Sequence, residues 1–75
     1  MSKISLEQII SIVSKVMGIS EKNININSKS SDFDKWDNLA HENIIIETEK
    51  KIKQKINISK IGELTSIKSI LNYLK

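Results

Sequence analysis

The single histidine of this 75-residue chain, His41, follows Asp37 by four residues. On a helix that spacing puts both side chains on one face, where a carboxylate could orient an imidazole acting as general base. The sequence places no nucleophile beside the pair. Asp37, His41 and Glu42 could also be read as metal ligands, but they lack a recognisable ligand spacing. We therefore assign neither catalytic residues nor a metal site, expect no enzymatic activity, and expect His41 to lie partly exposed on a helix surface. The chain has no cysteine, which excludes disulfides and thiolate metal sites.

Lysines are the other chemically expressive group. Lys50, Lys51, Lys53, Lys55 and Lys60 cluster late in the chain, but they point to scattered helical angles and no arginine accompanies them. Bidentate base or phosphate contacts and a row of stacking aromatics are both missing, so no nucleic-acid partner is expected. Lysines near a helix C-terminus also complement its dipole. The net charge of +3 conceals a division: residues 1–49 carry five lysines against eight acids, residues 50–75 seven lysines against one. Asp32, Asp34, Asp37, Glu42, Glu47 and Glu49 are faced within their own stretch only by Lys35. The acidic middle is the expected working region.

These residues must be positioned by helices. Ser5-Leu6-Glu7-Gln8 fits a capping box, and Leu6, Ile9, Ile10, Val13, Val16 and Met17 mark one helical face. Gly18 supplies a left-handed stop, so the first helix should run from about Leu6 to Met17. Residues 19–36 carry no sustained period and predict a long loop, a feature that is often functional. Ile19, Ile24, Ile26 and Phe33 should anchor it, with Trp36 lying across its end; Ile24 and Ile26 alternate like a strand but have no second strand to pair with. Asp37 and Asn38 are both good N-caps for a second helix through Leu39, Ile44, Ile45, Ile46 and Ile52 to about Lys55, supported by Glu47–Lys51 and Glu49–Lys53 pairs. A short helical turn near Ser59–Ile61 should end at Gly62. Thr65 should cap a last helix carrying Ile67, Ile70, Leu71 and Leu74. The expected fold is all-α: one domain over residues 1–75, a small bundle of three main helices plus one short helix, with a long loop between the first two. No signal-peptide core or run of about 20 apolar residues is apparent. A monomer in the cytoplasm is expected.

The stretch Phe33-Asp34-Lys35-Trp36-Asp37-Asn38-Leu39-Ala40-His41 resembles the signature of acyl carrier proteins, especially those with a Trp-Asp-Ser-Leu core followed two residues later by His. The likeness covers nearly the whole chain, from the capped first helix through the long loop and central helix to Leu64-Thr65-Ser66-Ile67 and Tyr73-Leu74. It implies an acyl-carrier-like bundle that holds an acyl, aminoacyl or related intermediate on a 4'-phosphopantetheine arm. Its implied partners are a phosphopantetheinyl transferase and acyl- or aminoacyl-handling enzymes of lipid or secondary-metabolite biosynthesis. By the same resemblance Asp37, Leu39, Glu42 and Ile46 would meet those partners, and the attachment serine would stand at position 38.

Position 38 is asparagine. A carboxamide has no hydroxyl and its nitrogen is a poor nucleophile, so the arm cannot be attached in the usual way. Ser30 and Ser31 precede no comparable helix start. Two explanations stay open, a deliberate replacement of serine or a naturally degenerate carrier, and with the second comes the alternative of a cargo-less interaction module using the same helix surface. Lys50 and Lys51 stand where the family is often acidic. Like Trp36 and His41, they fit a specialised pathway better than core fatty-acid synthesis.

Overall fold

Helix α1, Leu6–Met17, has the limits its residues predict. The Gln8 amide donates to Ser5 Oγ at 3.1 Å and the Ser5 amide to Gln8 Oε1 at 2.9 Å, which satisfies two of the free donors at a helix start. Gly18 follows at φ 69°, and its amide donates to the Ser14 carbonyl. The structure, a computed structural model, describes residues 4–74. After α1 come two short 3-10 turns, Glu21–Asn23 and Ser30–Asp32, then α2 (Asn38–Ile52), α3 (Ile58–Ile61) and α4 (Ile67–Leu74). This is the expected all-α bundle. Among the described residues no helix is long and apolar enough to cross a membrane.

The core forms where α1 packs on both α2 and α4. Ile9, Val13 and Met17 from α1 join Ile44, Ile45 and Ile52 from α2 and Ile67 and Ile70 from α4. Of the three consecutive isoleucines, Ile44 and Ile45 are buried, while Ile46 is 46% exposed. A helix advances about 100° per residue and cannot bury all three on one side. Thr48 replaces an aliphatic residue on the inner face, and its hydroxyl is satisfied by donating to the Ile44 carbonyl at 2.7 Å.

Several boundaries and contacts differ from the sequence expectation. Helix α2 stops at Ile52, three residues before Lys55, because Lys53 turns left-handed at φ 59° and its amide returns to the Glu49 carbonyl. The Glu49 carboxylate then accepts from the Ile56 amide at 2.8 Å, and Glu47 pairs with Lys50 at 3.5 Å. The expected Glu49–Lys53 and Glu47–Lys51 pairs thus give way to a closing turn and an i,i+3 contact. Gly62 closes α3 with an ordinary right-handed backbone. Ser66, not Thr65, caps α4: Ser66 and Ser69 exchange amide-to-hydroxyl bonds at 3.1 and 3.0 Å.

The long loop is tied down by backbone as well as by side chains. Ile24 is buried, and Ile19 and Phe33 pack against the core, but Ile26 is exposed and is no anchor. The Ser30 amide donates to the Thr65 carbonyl at 2.7 Å and the Ile67 amide to the Ser28 carbonyl at 3.0 Å. This isolated antiparallel bridge at Lys29 and Ser66 ties the end of the loop to the linker before α4, and the Ile24–Ile26 alternation forms no strand. The neighbouring isoleucines of α2 test the packing. Ile44→Ala should cost about 2–5 kcal/mol in urea unfolding, a large part of the roughly 4–11 kcal/mol available to a chain this size. Ile46→Ala should change stability by less than about 1 kcal/mol; equal losses at both positions would contradict the inward and outward facing described.

Candidate functional site

The loop enters α2 through a tight turn whose parts have separate jobs. The Trp36 amide donates to the Phe33 carbonyl at 3.1 Å, and the Trp36 side chain is buried. Asp37 is then the N-cap, with extended backbone. Its Oδ1 accepts from the Ala40 amide at 2.9 Å, and its carbonyl accepts from the His41 amide at 2.8 Å. Asn38 is therefore the first helical residue and does not cap. It stands exposed, beside amides that a helix start leaves without intrahelical partners. Leu39 follows at 67% exposure.

His41 is half-buried and does not form a dyad with Asp37. The Trp36 indole N–H donates to His41 Nδ1 at 3.1 Å, and His41 Nε2 lies 2.8 Å from the Ile61 carbonyl. An indole nitrogen can only donate and a carbonyl can only accept. Nδ1 is then the acceptor and Nε2 carries the proton given to Ile61. The two rings meet edge to edge, with centroids 6.3 Å apart and planes inclined by 30°. Both imidazole nitrogens are engaged by structural partners, and the Asp37 carboxylate is engaged with the Ala40 amide. The residues that could have been base and orienter hold the loop, α2 and α3 together instead. Among the described residues no group of three or more His, Cys, Asp or Glu side chains could hold a metal ion.

The acidic stretch divides in the same way. Asp32 Oδ2 accepts from the Lys29 amide at 3.2 Å, Asp37 caps α2, Glu49 caps the turn after it, and Glu47 meets Lys50. Glu42 stays exposed on the outer side of α2. It shares that side with Leu39 and Ile46, since residues three, four and seven apart align on a helix. The structure thus brings Asp37, Leu39, Glu42 and Ile46 onto one capped turn and the stripe running from it. Sequence reasoning missed Ile58, which is 85% exposed on α3; the surrounding apolar residues gave no sign that it faces outward. It also missed the tie from His41 to Ile61, which joins side chain to backbone across 20 residues. A separate open groove of about 600 Å³ between α1 and α2 is lined by Ile12, Val16, Asn43, Glu47 and Lys50, among others, and by no residue of the 36–42 turn.

Because capping belongs to Asp37 and bridging to His41, the three polar positions of the turn should respond differently. Asp37→Ala should cost about 0.5–2 kcal/mol. His41→Ala should cost about 1–3 kcal/mol, as it strands a partly buried indole donor and a carbonyl. Asn38→Ala should stay within about 0.5 kcal/mol. Urea unfolding followed by the fluorescence of Trp36 measures all three, and a His41→Ala loss no larger than that of Asn38→Ala would exclude the bridging role. In comparisons with known proteins, no family model, no curated protein and no solved structure matches the chain.

Proposed function

We propose that this chain is an acyl-carrier-protein-like domain that works by protein docking. It offers the Asp37–Leu39 turn and the outer stripe of α2 to acyl- or aminoacyl-handling enzymes and performs no chemistry of its own. The observation that carries this reading is the pairing of a capped, exposed turn with apolar side chains left outside the core, Leu39 at 67% and Ile46 at 46% exposure. Exposed aliphatic residues beside Asp37 and Glu42 make an apolar surface with acidic groups at the end nearest the turn. Such a surface suits an enzyme face with a shallow apolar hollow and basic rim, where charge steers encounter and apolar burial holds the complex.

A 4'-phosphopantetheine arm does not fit this turn as it stands. The exposed group at position 38 is a carboxamide, and the nearest serines, Ser30 and Ser31, belong to the 3-10 turn upstream. The proposal therefore assigns docking without an attached arm. A second reading, a carrier whose attachment residue has been replaced, is favoured by one specific feature: Asn38 takes no part in capping, so a serine hydroxyl there would be free and the fold would be indifferent to the exchange.

Two measurements test these readings. The unmodified chain should bind a phosphopantetheinyl transferase or a carrier-dependent acyltransferase in calorimetric titration, and Asp37→Lys or Glu42→Lys should weaken binding by about tenfold or more. Binding indifferent to both reversals would remove the docking role from this face. Asn38→Ser, incubated with a transferase and coenzyme A, should gain the mass of the arm on the intact protein, while the chain with Asn38 should not. An unmodified Asn38→Ser chain, under conditions that load a known carrier, would count against the carrier resemblance itself.

A further inference from the structure

The outer stripe of α2 has an internal order that docking to an enzyme does not require. Leu39, Glu42, Ile46, Lys50 and Lys53 are all exposed. At about 100° per residue the four that lie in α2 fall within roughly 100° of arc, opposite the buried Ala40, Ile44, Ile45, Thr48 and Ile52, and Lys53 is the left-handed C-cap that follows the helix. Their spacing is symmetric about Ile46: Glu42 lies four residues before it and Lys50 four after, Leu39 seven before and Lys53 seven after. An antiparallel copy of the same helix, related by a two-fold axis through Ile46, would set residue 46 minus n against residue 46 plus n.

From this we infer that the stripe is a self-complementary surface whose occupant is a second copy of this chain, paired antiparallel along α2. In that register Ile46 meets Ile46 on the axis. Glu42 faces Lys50 of the second copy, and the two-fold repeats the contact, as an isologous interface must. Leu39 lies toward the C-cap end of α2 of the second copy, where a lysine stem can cover the leucine while its ammonium stays in water. Among the described residues the one ion pair that Lys50 makes is to Glu47 at 3.5 Å, with both side chains at least half exposed. Such a surface pair contributes little and leaves the ammonium able to turn toward a second carboxylate. The opposite order of charge on the two halves of the stripe disfavours a parallel arrangement, in which Glu42 would face Glu42 and Lys50 would face Lys50.

One helix on one helix covers less than the area of standard stable interfaces, about 1,200–2,000 Å² in total. The pair is accordingly a weak, concentration-dependent dimer. It covers Leu39 and Glu42, so self-pairing and enzyme docking exclude one another. The inference goes beyond the docking function and does not depend on it.

Sedimentation velocity on the purified chain at low salt, from about 10 µM to 1 mM, the range of transient contacts, tests the pairing. The expected result is a mass rising toward that of a dimer. Glu42→Lys and Lys50→Glu alone should each move the curve at least tenfold toward higher concentration, because each sets like charges face to face twice. The double variant Glu42→Lys/Lys50→Glu should return to within about threefold of the parent. Ile46→Asp should abolish the dimer, with helicity by circular dichroism confirming that every variant is folded. A single monomer mass across the range, growth beyond a dimer, or a double variant no better than the singles would overturn the proposal. The double variant also separates the two ideas, since it should keep self-pairing and lose the enzyme docking that needs an acid at position 42.

Discussion

The hydrogen-bonded chain from the Trp36 indole through His41 to the Ile61 carbonyl is the contact that the turn into α2 depends on. It ties the end of an irregular loop and the first turn of α2, which adjoin in sequence, to the last residue of α3, 20 residues beyond His41. Each bond is worth only about 1 kcal/mol net. Their common histidine makes them act together, since its two nitrogens must adopt one arrangement of donor and acceptor to satisfy both neighbours. With the imidazole so held, the Trp36 ring is kept in the core, and the loop delivers Asp37 to the helix start at a fixed angle.

That arrangement separates holding the turn from presenting it. Asp37 and His41 face inward or along the backbone and are occupied, while Asn38 and Leu39 stand outside. A protein that needed position 38 for its cap would be constrained there by folding. Here the cap lies one residue earlier, which leaves position 38 free of a capping role. Asparagine there presents an exposed carboxamide at the first helical residue without taking part in the cap.

The charges follow a similar logic. Most carboxylates of the acidic middle also close turns or pair locally, so they fix backbone as well as carrying charge. What reaches the surface of α2 is sparser and ordered, an acid near its start and lysines near its end, with aliphatic side chains between them. Lysines at that end also complement the helix dipole. Their placement on the same stripe as Leu39 and Ile46 is a property of the folded helix face, which a count of charges along the chain does not contain.

Local rules were enough to read α1 and the start of α2. Ser5, Gln8 and Gly18 act within their own helix, and Asp37 caps through a residue three positions away, so neighbours in sequence are the neighbours in space. The all-α bundle and its long loop were legible for the same reason, since the 3.6-residue period of the isoleucines is a local signal. The tertiary structure decided the rest. Which of Ile44, Ile45 and Ile46 turns outward depends on where α1 and α4 lie. The bridge between Lys29 and Ser66, the exposure of Ile26 and Ile58, and the engagement of His41 by Trp36 and Ile61 depend on elements brought together by folding. The four-residue interval from Asp37 to His41 suggested a dyad because spacing records what can share a face; Asp37 went to its local cap bond, and His41 reached Ile61 because only packing sets the distances over which long-range hydrogen bonds form.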